Sequence, residues 1–168
     1  LGGVHRMLTA MTWRLAAAIP TVAIVAAGLL GTSPGPSAQA VACERLADLT
    51  LPHTTITRAQ PVTEGVFTAP GARGPMPVLP AFCRVVGVIA PTGDSEIAFE
   101  VWMPLENWNG RFTGVGNGGF AGTINFGGLA AQVKRGDASA STNTGHEAMA
   151  GLDMARFAFG HPEKLIDF

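Results

Sequence analysis

No run of lysine or arginine breaks this 168-residue sequence, and charged residues make up only 14% of it. With a formal net charge of -1, the chain lacks the basic surface that nucleic-acid binding requires, so nucleic acid is not an expected partner. Cysteine is scarce, with Cys43 and Cys83 the 2 in the chain. They form no C-x-x-C pair and the 4 histidines are scattered, so no metal site is expected. Internal repeats are absent, as are low-complexity tracts outside the N-terminal region. Serine is sparse as well: Ser33, Ser37, Ser95, Ser139 and Ser141 are present, and none stands in a G-x-S-x-G nucleophile motif.

What is abundant is apolar or turn-forming. Hydrophobic residues reach 47%, enough for the core of one modest domain, and 22 glycines with 12 prolines mark a turn-rich chain. Residues 1–40 carry Arg6 and Arg14, then an apolar run from Leu15 to Leu30, then Ser37-Ala38-Gln39-Ala40. That layout predicts a secretory signal peptide cut after Ala40, with Met7 or Met11 as the start and upstream residues before it. A membrane anchor is the competing reading, but the apolar run is shorter than the ~20 residues a span needs. The expected product is therefore secreted or periplasmic, without a stable membrane anchor, and mildly acidic once Arg6 and Arg14 are removed. In an oxidising compartment Cys43 and Cys83 pair by default. Such a bridge adds roughly 3–4 kcal/mol by the loop-entropy estimate.

Along residues 41–168, Cys43–Leu51 suits one or two helical turns and Thr54–Thr57 a strand. Residues 69–80 read as a proline-rich loop. Phe82–Ile89 (FCRVVGVI) and Glu96–Met103 (EIAFEVWM) flank the turn Pro91-Thr92-Gly93-Asp94 and predict a hairpin. Gly110–Val115 begins another strand, Gly128–Arg135 suits a short helix, and Ala138–Thr142 suits a strand. Gly145–Phe157 reads as part loop and part helix. Alternation of helix and strand begins only near residue 110, which predicts the front of an α/β fold entered through an antiparallel hairpin.

Between the Gly110–Val115 strand and the helix lies GVGNGGFAG, residues 114–122, with 5 glycines in 9 positions. Glycine loses more backbone freedom on folding than any other residue, so such density needs a reason. A glycine loop ahead of a helix frees backbone N–H groups for an anion. One use is a phosphate cradle. However, the pattern Gly114-x-Gly116-x-Gly118-Gly119 is not the dinucleotide fingerprint, and Asp137 is poorly placed as a ribose partner. Another use is an oxyanion hole, which α/β-hydrolases build partly from the loop after their third strand. A tight turn without chemistry is the plain alternative. Composition does not choose between the last two.

Six stretches, taken in order, carry a resemblance. They are Leu79-Pro80-Ala81-Phe82-Cys83-Arg84-Val85, Ile97-x-Phe99-Glu100-x-Trp102-Met103-Pro104, Trp108-Asn109-Gly110-Arg111-Phe112, Gly116-Asn117-Gly118-Gly119, Ser141-Thr142-Asn143-Thr144-Gly145-His146 and Phe159-Gly160-His161-Pro162-Glu163-Lys164. Each is weak alone; together they resemble the tannase and feruloyl esterase family, which also includes the hydrolase of mono(2-hydroxyethyl) terephthalate. The resemblance implies a secreted serine carboxylic ester hydrolase of α/β-hydrolase fold with an inserted lid domain. It implies a Ser-Asp-His triad and small aromatic ester substrates of the gallate or ferulate type. It also implies Gly119 as the first oxyanion donor within the loop Gly116, Asn117, Gly118, and a family disulfide at Cys43–Cys83. Calcium is implied for the lid, and no cofactor for these residues.

The same resemblance makes residues 41–168 an N-terminal portion of that fold, ending before the nucleophile elbow and the lid. None of the triad is present, so the chain alone is expected to be inactive. Asn143 stands where the family usually has aspartate. The rival expectation is a secreted, non-catalytic, β-rich binding module, which requires an exposed aromatic platform and a complete core.

Several residues invite chemistry and have a plainer reading. Without a serine elbow, His146 and His161 are expected to be structural hydrogen-bonding residues. His161-Pro162 is expected to open a helix. Trp102 and Trp108 are expected to pack rather than to line a phenolic pocket. Asp94, Glu96 and Glu100 are expected on a solvated face rather than around calcium. Asn117 is expected to serve by tolerating left-handed backbone. With the sheet incomplete, Val85, Val101 and Phe112 are expected to be partly uncovered.

Overall fold

A computed structural model describes residues 42–147 and 155–168. The expected signal peptide, and the part of Gly145–Phe157 between 148 and 154, lie outside the described residues. Strand β1 (Thr54–Val62) is followed by β2 (Phe82–Ile89), β3 (Ile97–Pro104), β4 (Phe112–Gly114), helix α1 (Phe126–Lys134), β5 (Ala138–Thr142) and helix α2 (Pro162–Asp167). The five strands form one mixed sheet in the order β1-β2-β3-β5-β4.

The hairpin predicted from FCRVVGVI and EIAFEVWM is present. β2 and β3 pair antiparallel from Phe82 opposite Pro104 to Ile89 opposite Ile97. The turn between them is tied by a 2.7 Å contact between the Thr92 and Ser95 hydroxyls. β1 runs five residues beyond the expected Thr54–Thr57, as far as Val62, and pairs antiparallel with β2 despite Pro61. It is the edge strand, where a missing N–H can be tolerated.

β5 inserts between β3 and β4, antiparallel to the first and parallel to the second. Joining two parallel strands requires a crossover, and α1 supplies it. The helix starts two residues before the expected Gly128, because Asn125 caps it: its side chain accepts the Gly128 N–H at 2.9 Å.

Strand periodicity sorts the core onto the two faces of the sheet. Under α1, Phe82 and Trp102 stack at 4.4 Å between ring centroids, with Leu79, Leu129, Ala130 and Val133 buried around them. On the other face, the Cys43–Cys83 disulfide fastens the 3-10 turn Cys43–Asp48 over Val85, Phe99, Val101 and Met103. Val85, expected to be partly uncovered, is buried by that cover. Val101 is half-buried, and Phe112 on edge strand β4 is 64% exposed.

The expectation of a solvated acidic face fails at Glu100. Glu100 shares a face of β3 with Trp102, and α1 and Phe67 cover that face. Glu100 is buried and accepts from Arg84 through both carboxylate oxygens, with Nε at 2.8 Å, and from the Trp102 indole N–H at 2.7 Å. The Arg84 guanidinium also sits 5.3 Å from the centroid of the Phe67 ring. Glu96 is exposed, and Asp94 accepts from His161 Nδ1 at 2.8 Å. The three acidic side chains therefore go separate ways.

Candidate active site

The glycine loop leaves the C-terminal end of β4 and enters α1 through Asn125. In a parallel pair joined by a helix, this is the end of the strands where ligands bind. Val115 N–H still bonds to Ala140 C=O at 2.7 Å, and Ala121 N–H closes a turn onto Gly118 C=O at 3.3 Å. Between them, the N–H groups of residues 116–120 meet no acceptor among the described residues. Gly116, Gly118, Gly119 and Phe120 are exposed. A Cβ built on Gly114, Gly116, Gly118 or Gly119 would meet no atom within 4 Å. Packing within this chain does not demand glycine there, whereas close approach of another molecule would. Gly119 alone in this group is left-handed, at φ +61°.

Side chains within and beside the loop hold it. Asn125 Nδ2 donates to Gly116 C=O at 3.2 Å, and Asn117 Nδ2 donates to Thr142 C=O at 3.0 Å at the end of β5. Asn117 is not among the residues with positive φ, so its side chain, not a left-handed backbone, is what the fold uses. His146 Nε2 reaches Phe120 C=O at 3.0 Å, and its ring stacks on Phe157 at 3.7 Å. Phe168 completes an aromatic group beside the loop, 5.4 Å from Phe120 between centroids. Asn125 and Phe120 were not singled out from the sequence. The available signals were an asparagine just ahead of a helix and one large ring among glycines.

The remaining candidates sort clearly. Asn143 is buried, and its Oδ1 accepts from Ala98 N–H at 2.9 Å and Gly145 N–H at 3.1 Å. Its acceptor oxygen extends the β3–β5 ladder, a role that needs no charge. An open cleft of about 570 Å3 includes Gly122, Phe126, Asn143 and Glu147 in its lining but none of residues 116–119. His161 lies away from the loop, on Asp94 at the mouth of the β2–β3 turn, and Pro162 opens α2 as expected. Trp102 is fully buried in the core, while Trp108 is 60% exposed and donates to Arg111 C=O, near the start of β4. The expectation that both tryptophans pack thus holds for Trp102 only.

Asp137 is buried at the opposite end of β5. Hydrogen bonds from Asn109, then Arg135, hold its carboxyl below the usual range against the opposing effect of burial, and Thr113 adds another. Its acceptors are committed to the fold. Among the described residues no three or more of His, Cys, Asp and Glu gather as a metal site. They do not fit the calcium that the resemblance assigns to a lid. No described helix is long and apolar enough to cross a membrane.

A family model described as "Tannase and feruloyl esterase" matches residues 83–168, from β2 to the end of α2. The chain belongs to the tannase and feruloyl esterase family. It is 47% identical over 145 residues to an uncharacterized esterase of Xanthomonas campestris pv. campestris, covering 86% of this chain and 24% of that protein. It is 38% identical over 86 residues to a probable feruloyl esterase B-1 of Aspergillus flavus, covering 51% of this chain and 15% of the relative. Among solved structures, an esterase from Aspergillus oryzae matches with TM-score 0.64 and 32% identity, over 75% of this chain and 25% of that one. Feruloyl esterase B from the same species matches with the same TM-score at 27% identity. The mixed sheet with its few helices is thus similar to these esterase structures. The chain spans about a quarter of the length of the Xanthomonas and A. oryzae proteins.

Proposed function

We propose that this chain supplies the oxyanion-hole loop of a secreted or periplasmic serine carboxylic ester hydrolase. The substrates are small esters of aromatic acids of the gallate or ferulate type, and Gly119 N–H is one of the two donors. The observation that carries the reading is the run of N–H groups from Gly116 to Phe120, free of acceptors among the described residues, in a loop whose Gly116, Gly118, Gly119 and Phe120 are exposed. Its place in the fold supports it. Setting edge strand β1 aside, β4 is the third strand and α1 the first crossover helix. That is where α/β-hydrolases draw one oxyanion donor.

When a nucleophile adds to an ester carbonyl, negative charge moves onto the oxygen. A backbone N–H already aimed at that position stabilises it without reorganising, an effect of roughly 3–4 kcal/mol per donor. Gly119 has no side chain to hinder the approach. The described serines do not supply the nucleophile. Ser95 Oγ contacts Thr92 and Asp167, Ser141 Oγ accepts from Asn125 N–H, and Ser139 is fully buried. On this reading the triad serine, aspartate and histidine, the second donor and the lid lie outside these residues; the relatives, of which this chain spans about a quarter, are long enough to hold them.

The test uses that full-length protein with methyl ferulate and methyl gallate. Gly119→Ala leaves the N–H in place but sets a methyl where the substrate must approach, and kcat/KM is expected to fall by at least about tenfold. Unchanged kinetics would overturn the reading. The 168-residue chain alone is expected to turn over neither ester.

A further inference from the structure

We propose that His146 is a positioning residue that aims the Gly119 N–H, acting through two peptide planes that are hydrogen-bonded to each other. This rests on the oxyanion reading above and adds to it the part that sets the geometry.

The glycines cannot hold the loop themselves, because nothing among the described residues packs against the Cβ positions of Gly116, Gly118 and Gly119. The loop is fixed instead by the Asn117 side chain and by bonds that outside side chains make to its backbone. The peptide unit joining Phe120 to Ala121 is bonded on both sides. Its C=O accepts from His146 Nε2 at 3.0 Å, and its N–H donates to Gly118 C=O at 3.3 Å. Gly118 C=O shares a rigid plane with Gly119 N–H. Turning the first peptide therefore turns the second, and with it the donor. Because a carbonyl only accepts, this bond forms when Nε2 carries a proton. Nδ1 lies beside the Thr144 carbonyl and hydroxyl, at 3.2 and 3.4 Å.

His146 is itself immobilised. It is buried, its ring lies flat on Phe157 with an interplanar angle of 12°, and its own carbonyl abuts Gly122. A Cβ on Gly122 would lie 2.2 Å from that oxygen, so the two segments touch backbone to backbone. A side chain this constrained transmits position, and a misplacement of about 1 Å at a reacting centre is enough for a hundredfold loss.

Two substitutions in the full-length enzyme separate the hydrogen bond from the packing. His146→Gln keeps a terminal N–H and loses the ring stack. His146→Phe keeps the stack on Phe157 and loses the N–H. The expected result is a kcat for methyl ferulate lowered about 10- to 100-fold in His146→Phe with KM within about twofold, and largely retained in His146→Gln. Binding of a tetrahedral phosphonate ester analogue is expected to weaken in parallel with kcat, and binding of the free acid product to stay unchanged. The reverse order, with the phenylalanine variant active and the glutamine variant not, would assign His146 to packing and overturn the proposal. Equal kcat in both variants and the parent would overturn it too. Gly119→Ala in the same assay keeps the two ideas apart: if it is impaired while His146→Phe is not, only the positioning role falls.

Discussion

Arg84 and Glu100 meet side by side beneath α1, diagonal neighbours on β2 and β3, joined through Nε and Nη2 and sealed by the Trp102 indole N–H. Both are almost wholly buried. Removing one partner leaves an uncompensated charge in the core. Glu100→Ala is expected to destabilise the protein by about 3–5 kcal/mol. Changing both residues to apolar ones of similar volume is expected to do much less harm than the single change. Denaturant melts of the two variants check this, and equal losses would mean that the pair is not desolvated as described.

The Cys43–Cys83 bridge closes a separation of 40 residues and anchors the only cover over Val85 among the described residues. Replacing both cysteines by serine is expected to reduce stability by roughly 3–4 kcal/mol. The parent under reducing agent should show a comparable fall. A loss well under 1 kcal/mol would mean that the 3-10 turn stays docked without the bond.

Two neighbouring glycines should respond oppositely to alanine. At Gly119 a methyl meets open space, and only the left-handed φ opposes it, at about 1–2 kcal/mol. At Gly122 the methyl would collide with the His146 backbone, so Gly122→Ala is expected to be the more destabilising. Thermal melts of both variants, compared with their activities, test this. Gly119→Ala should lose mainly activity and Gly122→Ala both activity and stability.

Asp137 gives a pH dependence of known sign. Its folded pKa lies below the ordinary 3.8, chiefly through Asn109 and then Arg135. The folded state therefore holds the proton less tightly than the unfolded chain. The stabilisation is fully present above the unfolded value and fades as pH falls through the folded one. Asp137→Asn is expected to be less stable than the parent near pH 7, with the gap narrowing below about pH 4. A gap that widened on acidification would contradict this assignment.

Ser139 and Ser141 look alike in sequence but differ in the sheet. Ser139 Oγ is buried without a partner among the described residues, whereas Ser141 Oγ accepts from the N–H of the cap residue Asn125 at 3.0 Å. Ser139→Ala is expected to be neutral or stabilising, and Ser141→Ala to be destabilising by about 1 kcal/mol. Chemical denaturation of the two variants decides.

Local rules carried much of the fold into the sequence. The β2–β3 hairpin follows from β-branched runs around Pro91-Thr92-Gly93-Asp94, and β5 from its bounds at Ala138 and Thr142. The start of α2 follows from Pro162. The glycine loop stands out by composition because ordering so much glycine opposes folding. These are effects of neighbouring residues on one another, and a linear reading captures them.

What the sequence could not decide depends on what lies over each face and how distant segments meet. Glu100 has the same alternation whether its face is wet or dry, and only the cover brought by α1 and by Phe67 makes it dry. Pro61 is compatible with β1 because that strand ends up at the sheet edge. Asn117 and His146 become clamps because the β4–α1–β5 crossover brings Thr142 and Phe120 to them, 25 and 26 residues away. The sequence by itself determined that residues 114–122 must turn sharply and could admit a neighbour. The tertiary structure decided which peptide planes are held and which N–H groups of the loop meet no acceptor among the described residues, since both are set by bonds between segments that no local pattern records.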